Sequence, residues 1–500
     1  VNISYLTKAL DYVIAAPLPE GTPEITAIHY DSRKVTPGTL FVAMPGEAVD
    51  GHRFIPEAIK RGAVAVMGEL PQGDLGVPYI QVTDSRRALA IISAIYYDHP
   101  AEKLTLVGVT GTNGKTTVAY ILENIFAAAG HATGVMGTVS TRFAGQEVVS
   151  AMTTPESRDI QDTLARMAEA GVTHAVMEVS SHALALDRVR SCAFDAAVFT
   201  NLTQDHLDYH GTMEIYWKSK RVLFDRHRKE NGAAVINMAN EHGRKLAEDL
   251  SGNVFTVGTG KSPLTSRNIQ VGIDGIHGEF ITPEGTFPFS SRATGRHNLE
   301  NILCAAGAAL AVGIPMEAIV QGVKDFHVPG RLERLENDRG LHLFVDYAHT
   351  PDALENVMST LRNLVPGRLI CVFGCGGDRD RTKRPLMGGI GASYGDLAVI
   401  TSDNPRSEAP EKIIDDIVPG IDGELSFRYE PERLTQGFSQ KGYVVIPDRR
   451  EAIGLAVAIA QPGDTVLVAG KGHETYQIIG SQRLDFDDRK EVLKAVESAR

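Results

Sequence analysis

Residues 104–130, LTLVGVTGTNGKTTVAYILENIFAAAG, constrain the fold more than any other stretch of the chain. A β-branched apolar run enters a glycine turn and passes directly into a helical pattern, the strand–turn–helix unit of an α/β nucleotide fold. The turn and helix start are Gly111, Thr112, Asn113, Gly114, Lys115, Thr116 and Thr117. In that arrangement the backbone N–H groups and the helix N-terminus cradle phosphate while Lys115 neutralises its charge. Thr116 is then the expected Mg²⁺ ligand. The spacing departs from the general phosphate-loop pattern, because Val109 stands where the first glycine belongs. A glycine turn with no ligand is the simpler alternative, but Lys-Thr directly at a helix start has no packing purpose.

A 500-residue chain exceeds one comfortable core, and domains of roughly 100 to 200 residues suggest three units. Residues 1–102 read as a small α/β domain, with strand-like TLFVAMPG and AVAVMGE and a closing helix in RRALAIISAIYYDHP. Residues 103–330 read as a central P-loop-type nucleotide-binding domain with a mostly parallel sheet. Within it, the alternation in IHGEFITPEGTFPFSS predicts antiparallel strands between about 250 and 292, before a helix over HNLENILCAAGAALAVG. Residues 331–500 repeat apolar strands that end in polar or glycine turns, LHLFVDYAH, RLICVFGCGG, DLAVITSDNP and DTVLVAGKGHE. That pattern predicts a C-terminal Rossmann-like, doubly wound domain.

Open parallel sheets place ligands at the carboxyl ends of their strands. Glu178 ends the apolar run HAVMEV, and His206 lies in NLTQDHLDYHG just after another strand, so both can project over the edge that carries the phosphate loop. A hard Mg²⁺ ion prefers oxygen, which suits Glu178 and makes a histidine ligand less usual. Taken alone, His206 is a capping or solvent-facing residue.

The formal net charge of -12 disfavours a passive nucleic-acid binder. No apolar run approaches the roughly 20 residues that span a bilayer, and VNISYLTKALDYVIAAPLPE lacks a signal-peptide core, so a cytoplasmic enzyme with no membrane span is expected. Cys192, Cys304, Cys371 and Cys375 have neither zinc-finger nor disulfide-framework spacing and are read as buried free thiols.

Taken in order, the motifs resemble those of the Mur ligases along essentially the whole chain. They are GTNGKTT, Thr153-Thr154-Pro155, Glu178-Val179-Ser180-Ser181-His182, Asp205-His206-Leu207-Asp208, Gly295-Arg296-His297-Asn298 with Asn301, and Gly330-Arg331-Leu332-Glu333. They continue with Asp346-Tyr347-Ala348-His349-Thr350-Pro351, Gly376-Gly377-Asp378-Arg379, Asp403-Asn404-Pro405-Arg406 and Gly470-Lys471-Gly472-His473-Glu474. Each is weak alone; the ordered set is specific.

The resemblance implies an ADP-forming ligase that phosphorylates a carboxylate with ATP and lets an amine attack the acyl phosphate. It assigns catalysis to Lys115, Glu178, His206 and Lys220, with Thr116 serving one Mg²⁺ and Glu178 with His206 the other. Lys220, four residues after Tyr216, matches the family lysine that carries a carbamate, an oxygen anion suited to a magnesium site; Lys218 is the neighbouring decoy. His297, Asn298 and Asn301 are placed near adenine, and Arg331 and Asp346 approach ATP from the third domain.

For the other substrates the resemblance implies UDP-N-acetylmuramoyl-L-alanyl-D-glutamate and meso-diaminopimelate. Ser32 corresponds to a uridine-nucleotide contact, and the segment Glu47-Ala48-Val49 aligns with a further one. Thr153, Thr154, Ser180 and Arg188 correspond to contacts with the muramoyl peptide, while Met152 and Leu186 stand where some relatives place Asn and Gln. Arg379, Asp403, Asn404, Pro405, Arg406, Gly470 and Glu474 correspond to the diaminopimelate site. Arg406 is the discriminating residue, because diaminopimelate differs from lysine by a distal carboxylate that a guanidinium pairs well. The alternatives are a lysine-adding or folylpolyglutamate synthase-like ligase and, in another class, a non-catalytic nucleotide-binding scaffold. A monomer is expected.

Overall fold

The computed structural model describes all residues except 11–22, 47–48, 366, 422–426, 435–436 and 500. Three sheets carry the architecture. The first has four parallel strands, Ala27–His29, Thr39–Val42, Ala63–Gly68 and Tyr79–Gln81, in sequence order. One face packs Leu40, Val42, Ala65 and Met67 against Ile3–Thr7 and Ser85–Tyr96, and the other packs Phe41 and Val66 against Ile55–Lys60.

The second sheet has eleven strands. Its middle is parallel, with Thr105–Thr110 between Phe194–Phe199 and His174–Glu178, Arg228–Asn237 beside Phe194–Phe199, and Thr133–Met136 beside His174–Glu178. These strands are buried on both faces, which explains their unbroken Val, Ala and Phe runs. Leu264–Gly272, Gly275–Thr282 and Gly285–Ser291 extend one edge as the expected antiparallel meander, and Ser140–Phe143 with Gln146–Val149 closes the other. The helix Arg296–Ala311 covers the sheet through its small Ala and Gly residues, with Gly307 close to Val257 and Val235.

The third sheet has six strands, five of them parallel, with Thr465–Ala469 inserted between His342–Asp346 and Leu369–Phe373. Helices Pro351–Leu364, Lys383–Tyr394 and Pro410–Ile421 cover one face, while Arg449–Ile459 and Asp488–Ser498 cover the other, so the sheet is doubly wound. All four cysteines are buried and free, as the reading anticipated. Among the described residues no helix is long and apolar enough to cross a membrane.

A buried ion pair fixes the third domain's back face. Arg449 and Asp488 have 0% exposed side chains, and Arg449 donates from Nε and Nη2 to the two carboxylate oxygens at 2.8 and 2.7 Å. A second Nη2 bond at 2.9 Å reaches the Ala469 carbonyl at the end of the inserted strand. Removing one partner strands a buried charge at a cost of about 3–5 kcal/mol. Arg449→Met should therefore lower the unfolding midpoint of this domain sharply in differential scanning calorimetry. Arg449→Met with Asp488→Leu should recover most of the loss, and a neutral single variant would refute this account.

Candidate active site

The loop after Thr105–Thr110 is shaped by two glycines. Gly111 has φ +151° and a Cβ there would sit 1.8 Å from Thr200 Oγ1; Gly114 has φ +87° and would place one 2.2 Å from Asn301 Oδ1. Gly114 is also the N-cap of the helix Lys115–Ala128, and it brings no side-chain acceptor. The first-turn N–H groups of a helix lack intrahelical partners, so they remain available to an anion. The loop is held from outside by the neighbouring strand's exit: Thr112 N donates to Asn201 O and Asn113 N to Asn201 Oδ1, both at 2.9 Å. Lys115 Nζ donates to Gly111 O at 3.0 Å and Thr112 O at 2.9 Å, which leaves one of its three donors for a phosphate oxygen.

Glu178 is 1% exposed and sits one strand away. Its carboxylate accepts from Thr116 Oγ1 and Thr138 Oγ1, both at 2.9 Å, and from Thr138 N at 2.8 Å. Carboxylate and hydroxyl oxygens thus meet at the helix start, a donor set that fits Mg²⁺. Among the described residues no three His, Cys, Asp or Glu side chains converge into a metal cage.

The two lysines of MEIYWKSKRVLF part ways. Lys218 is exposed and paired with Glu214 at 2.7 Å, whereas Lys220 is 1% exposed, donates to Gly111 O at 2.7 Å and has its Nζ 4.5 Å from the centre of the Tyr216 ring. Burial, then Lys115, push the Lys220 ammonium well below the usual lysine range. Burial also lowers Lys115. His206 has φ +54° and faces the cleft between the rings of His182 and Tyr216. Its pKa is pushed down to about 4, first by removal from water, against the opposing pull of Asp205.

The third domain supplies the opposite wall. Asp346 ends its strand buried, accepting from Ala348 N at 2.7 Å and from Leu332 N, and burial raises its pKa. Arg331 lies over the Tyr347 ring at 4.3 Å. Asp352, in the first turn of Pro351–Leu364, reaches across the domains: its Oδ2 accepts from Asn113 Nδ2 at 2.6 Å and Thr203 Oγ1 at 3.2 Å. The cleft between these walls, of about 420 Å³, is lined by the phosphate loop, His206, His297, Asn298, Asn301, Arg331 and Asp346. Asn301 Nδ2 donates to Asn298 Oδ1 at 3.1 Å, and Asn298 Nδ2 to Thr294 O at 2.8 Å.

A second cleft, of about 660 Å³, shares Asp205, His206, Tyr347, His349, Thr350 and Asp352 with the first. Its far wall brings together Arg379, Asp403, Asn404, Arg406, Gly470 and Glu474. Pro405 is buried behind this wall, its carbonyl packed on Gly377 and accepting from Glu408 N, so it shapes the turn and does not face the cleft. Lys471, 0% exposed, is the organising cation: it lies 3.2 Å from Glu474 and 3.6 Å from Asp403, and donates to Asn404 Oδ1 at 3.0 Å. Burial would raise Asp403, but Lys471, Arg449, His349 and Lys383 together hold it below its usual range. Glu474 is raised, by burial first and then by Asp403.

The residues expected to hold a nucleotide-linked precursor are more scattered. Thr153 lines the first cleft with its Oγ1 3.1 Å from that of Thr138. Thr154 donates to Glu178 O and accepts from Ser180 N, while Ser180 caps Ser181–Ala185 through Ala183 N, so both side chains are engaged with the backbone. Arg188 donates to Glu156 and to Thr154 O. Ser32, 7% exposed, lies in a short turn capped by Asp31 in the first domain. None of Ser32, Thr154, Ser180 and Arg188 lines either cleft; Glu47 and Ala48 lie outside the described residues.

Comparison with known proteins agrees with this arrangement. Family models match residues 24–97 (Mur ligase family, catalytic domain), 109–309 (Mur ligase middle domain) and 330–472 (Mur ligase, glutamate ligase domain). A Geobacter metallireducens protein named UDP-N-acetylmuramoyl-L-alanyl-D-glutamate–2,6-diaminopimelate ligase is 48% identical over 480 residues, with 94% of each chain covered. A solved structure of a ligase of that name matches with a TM-score of 0.68 at 32% identity, covering 100% of this chain and 99% of the other. The Thermotoga maritima MurF ligase, solved in complex with ADP, shares the fold at 19% identity and a TM-score of 0.62, covering 95% of this chain and 98% of that one.

The loop geometry makes a direct prediction. Gly114→Ala must displace Asn301 and hold alanine at φ +87°, a left-handed conformation that costs about 1–2 kcal/mol. ADP binding by titration calorimetry should weaken about tenfold or more, with the far-UV spectrum unchanged; unaltered affinity would refute the role given to this glycine.

Proposed function

The chain belongs to the Mur ligase family, and from that premise we propose that it is the ADP-forming ligase that adds meso-diaminopimelate to the D-glutamate of UDP-N-acetylmuramoyl-L-alanyl-D-glutamate in the cytoplasmic stage of peptidoglycan synthesis. The observation that carries this reading is the pair of clefts with a common wall: a phosphate loop lines one, and Arg379, Arg406, Asp403 and Glu474 line the other. Residues 1–102 take the UDP precursor through Ser32, residues 103–330 take ATP, and residues 331–500 take the amino acid. Thr153, in the lining of the first cleft, meets the muramoyl peptide, and Thr154, Ser180 and Arg188, tied to each other's backbone and to Glu156, support that wall.

The reaction needs a leaving group on a carboxylate, which is a poor electrophile. The precursor's glutamate oxygen attacks the γ-phosphorus of ATP, ADP departs, and the acyl phosphate so formed accepts the amine at its carbonyl carbon; phosphate leaves and the amine gives up a proton. Lys115 and the helix N-terminus stabilise the negative charge on the transferred group. Mg²⁺, when bound, supplies charge neutralisation and in-line orientation of the phosphates. Thr116, Glu178, His206 and Lys220 as a carbamate are the residues to hold it. Carbon dioxide requires the neutral amine as its nucleophile, and burial, by disfavouring the Lys220 ammonium, shifts that side chain toward it, which supports the modification. His297, Asn298 and Asn301 seat the adenine, and Arg331 with Asp346 approaches from the third domain. The contact of Asp352 with Asn113 and Thr203 closes the cleft, excluding water that would hydrolyse the acyl phosphate.

Specificity follows from the second cleft. The distal amino group meets Asp403, Asn404 and Glu474 beside Gly470, and the distal carboxylate meets the guanidinium groups of Arg406 and Arg379. Lysine would forgo that carboxylate–guanidinium pairing and leave the partly buried Arg406 without its partner. With ATP and the UDP-linked dipeptide, phosphate release should favour meso-diaminopimelate over lysine by roughly 10³-fold or more in kcat/KM. Lysine as the better substrate would overturn the specificity, and no release with any amine would leave only a nucleotide-binding scaffold. With ¹³C-bicarbonate, the wild type should give a carbamate carbonyl resonance that Lys220→Gln loses; its persistence in the variant would place the carbamate elsewhere.

A further inference from the structure

Arg384 takes no part in the scheme above and does not line either cleft, yet it is fully buried, with 0% side-chain exposure, on the helix Lys383–Tyr394. Its guanidinium grips Glu408 as a fork, Nη1 to Oε2 at 3.0 Å and Nη2 to Oε1 at 2.8 Å. Nη1 also reaches Asp416 Oδ2 at 2.8 Å, and Nη2 reaches the Gly376 carbonyl at 3.2 Å. Gly376 and Glu408 belong to the two loops at the sheet edge that carry the cleft's guanidiniums, Gly376–Arg379 and 403–408, and Asp416 to the helix Pro410–Ile421 that follows the second.

The loops are further stitched to each other. Glu408 Oε1 accepts from Asp378 N at 2.6 Å, and Asp378 accepts from Ser407 N at 3.1 Å and Ser407 Oγ at 2.6 Å. Gly377 N donates to Asn404 O at 2.9 Å, and Arg406 Nη1 donates to Gly377 O at 2.8 Å. Both loops carry a left-handed non-glycine residue beside a cleft arginine or at it, Asp378 at φ +53° and Arg406 at φ +52°. Such conformations persist only where surrounding bonds over-determine them. Burying a guanidinium is also a poor way to gain stability, since apolar side chains of the same volume serve as well or better. The expense is understandable if its product is geometry.

We propose that Arg384 is a positioning residue for amino-acid recognition: by bracing Gly376 and Glu408 it sets the separation and aim of the Arg379 and Arg406 guanidiniums, and so discriminates for an amine bearing a distal carboxylate without touching it. The inference rests on the reading of this cleft as the amino-acid site. Hydrogen bonding to Arg384 holds the Glu408 pKa down to about 2, so the brace stays charged even in mildly acidic buffer.

The test is steady-state kinetics of the full-length enzyme, with each substrate varied in turn. In Arg384→Met the KM for diaminopimelate should rise about tenfold or more, while the KM values for ATP and the UDP-linked dipeptide stay within about twofold. The preference for diaminopimelate over lysine should shrink in parallel, a change that a general loss of stability would not produce. Arg384→Lys, which keeps the charge and loses the fork, should remain impaired. Glu408→Gln, at a partly exposed position, should move the same KM in the same direction by less, and it decides the matter if Arg384→Met does not fold. An unchanged diaminopimelate KM in a folded variant, or a uniform rise in all three KM values, overturns the proposal. If the wild type works with a different amine, the substrate reading falls, and the brace is judged by the same criterion on that amine's KM.

Discussion

One carboxylate joins the two halves of the chemistry. Asp352 opens a helix of the third domain, and its Oδ2 accepts from Asn113 in the phosphate loop and from Thr203 at the exit of the neighbouring strand. Because of that contact the nucleotide cleft has a second wall, and the two clefts meet along a shared seam that includes Asp205, His206, Tyr347 and His349. Burial raises the Asp352 pKa, the expected sign for a carboxylate taken out of water without a cation beside it.

The electrostatics of the interior run against the charge of the whole. A chain with net charge -12 nevertheless keeps Lys220, Arg384, Arg449 and Lys471 essentially without exposure, each among carbonyl or carboxylate acceptors. Lys220 and Lys115 share the Gly111 carbonyl, Lys471 sits among Asp403, Asn404 and Glu474, and Arg449 is matched to Asp488.

The sheet strands were legible because burial on both faces writes itself as continuous Val, Ile, Leu and Ala, and the loop 111–117 because strand, glycine and helix follow within a few residues. Lys220 was separable from Lys218 in principle, since it shares a helical face with Tyr216, Leu223 and Phe224, all buried. Asp352 left no local trace: its partner Asn113 is 239 residues away, and nothing around it distinguishes it from an ordinary acid in a helix's first turn. Lys471 stood in plain view within GKGHE, but its importance depends on Asn404, 67 residues earlier. Ser180 shows the opposite case, since its hydroxyl makes the local cap bond that a helix start suggests, whereas the Thr154 hydroxyl reaches the Glu178 carbonyl 24 residues on. Arg384 reads in sequence as one more basic residue in DRDRTKRP, and only its enclosure sets it apart.

The four cysteines have a practical consequence. All are buried and outside any disulfide, and burial pushes the Cys192 and Cys375 thiols up to about 12, so they carry almost no thiolate in neutral buffer. A thiol engineered onto an outer helix would consequently be the preferred target of a maleimide dye, with the native four left in place. Fluorophores can then be set on the central and third domains to read the distance between them with and without nucleotide.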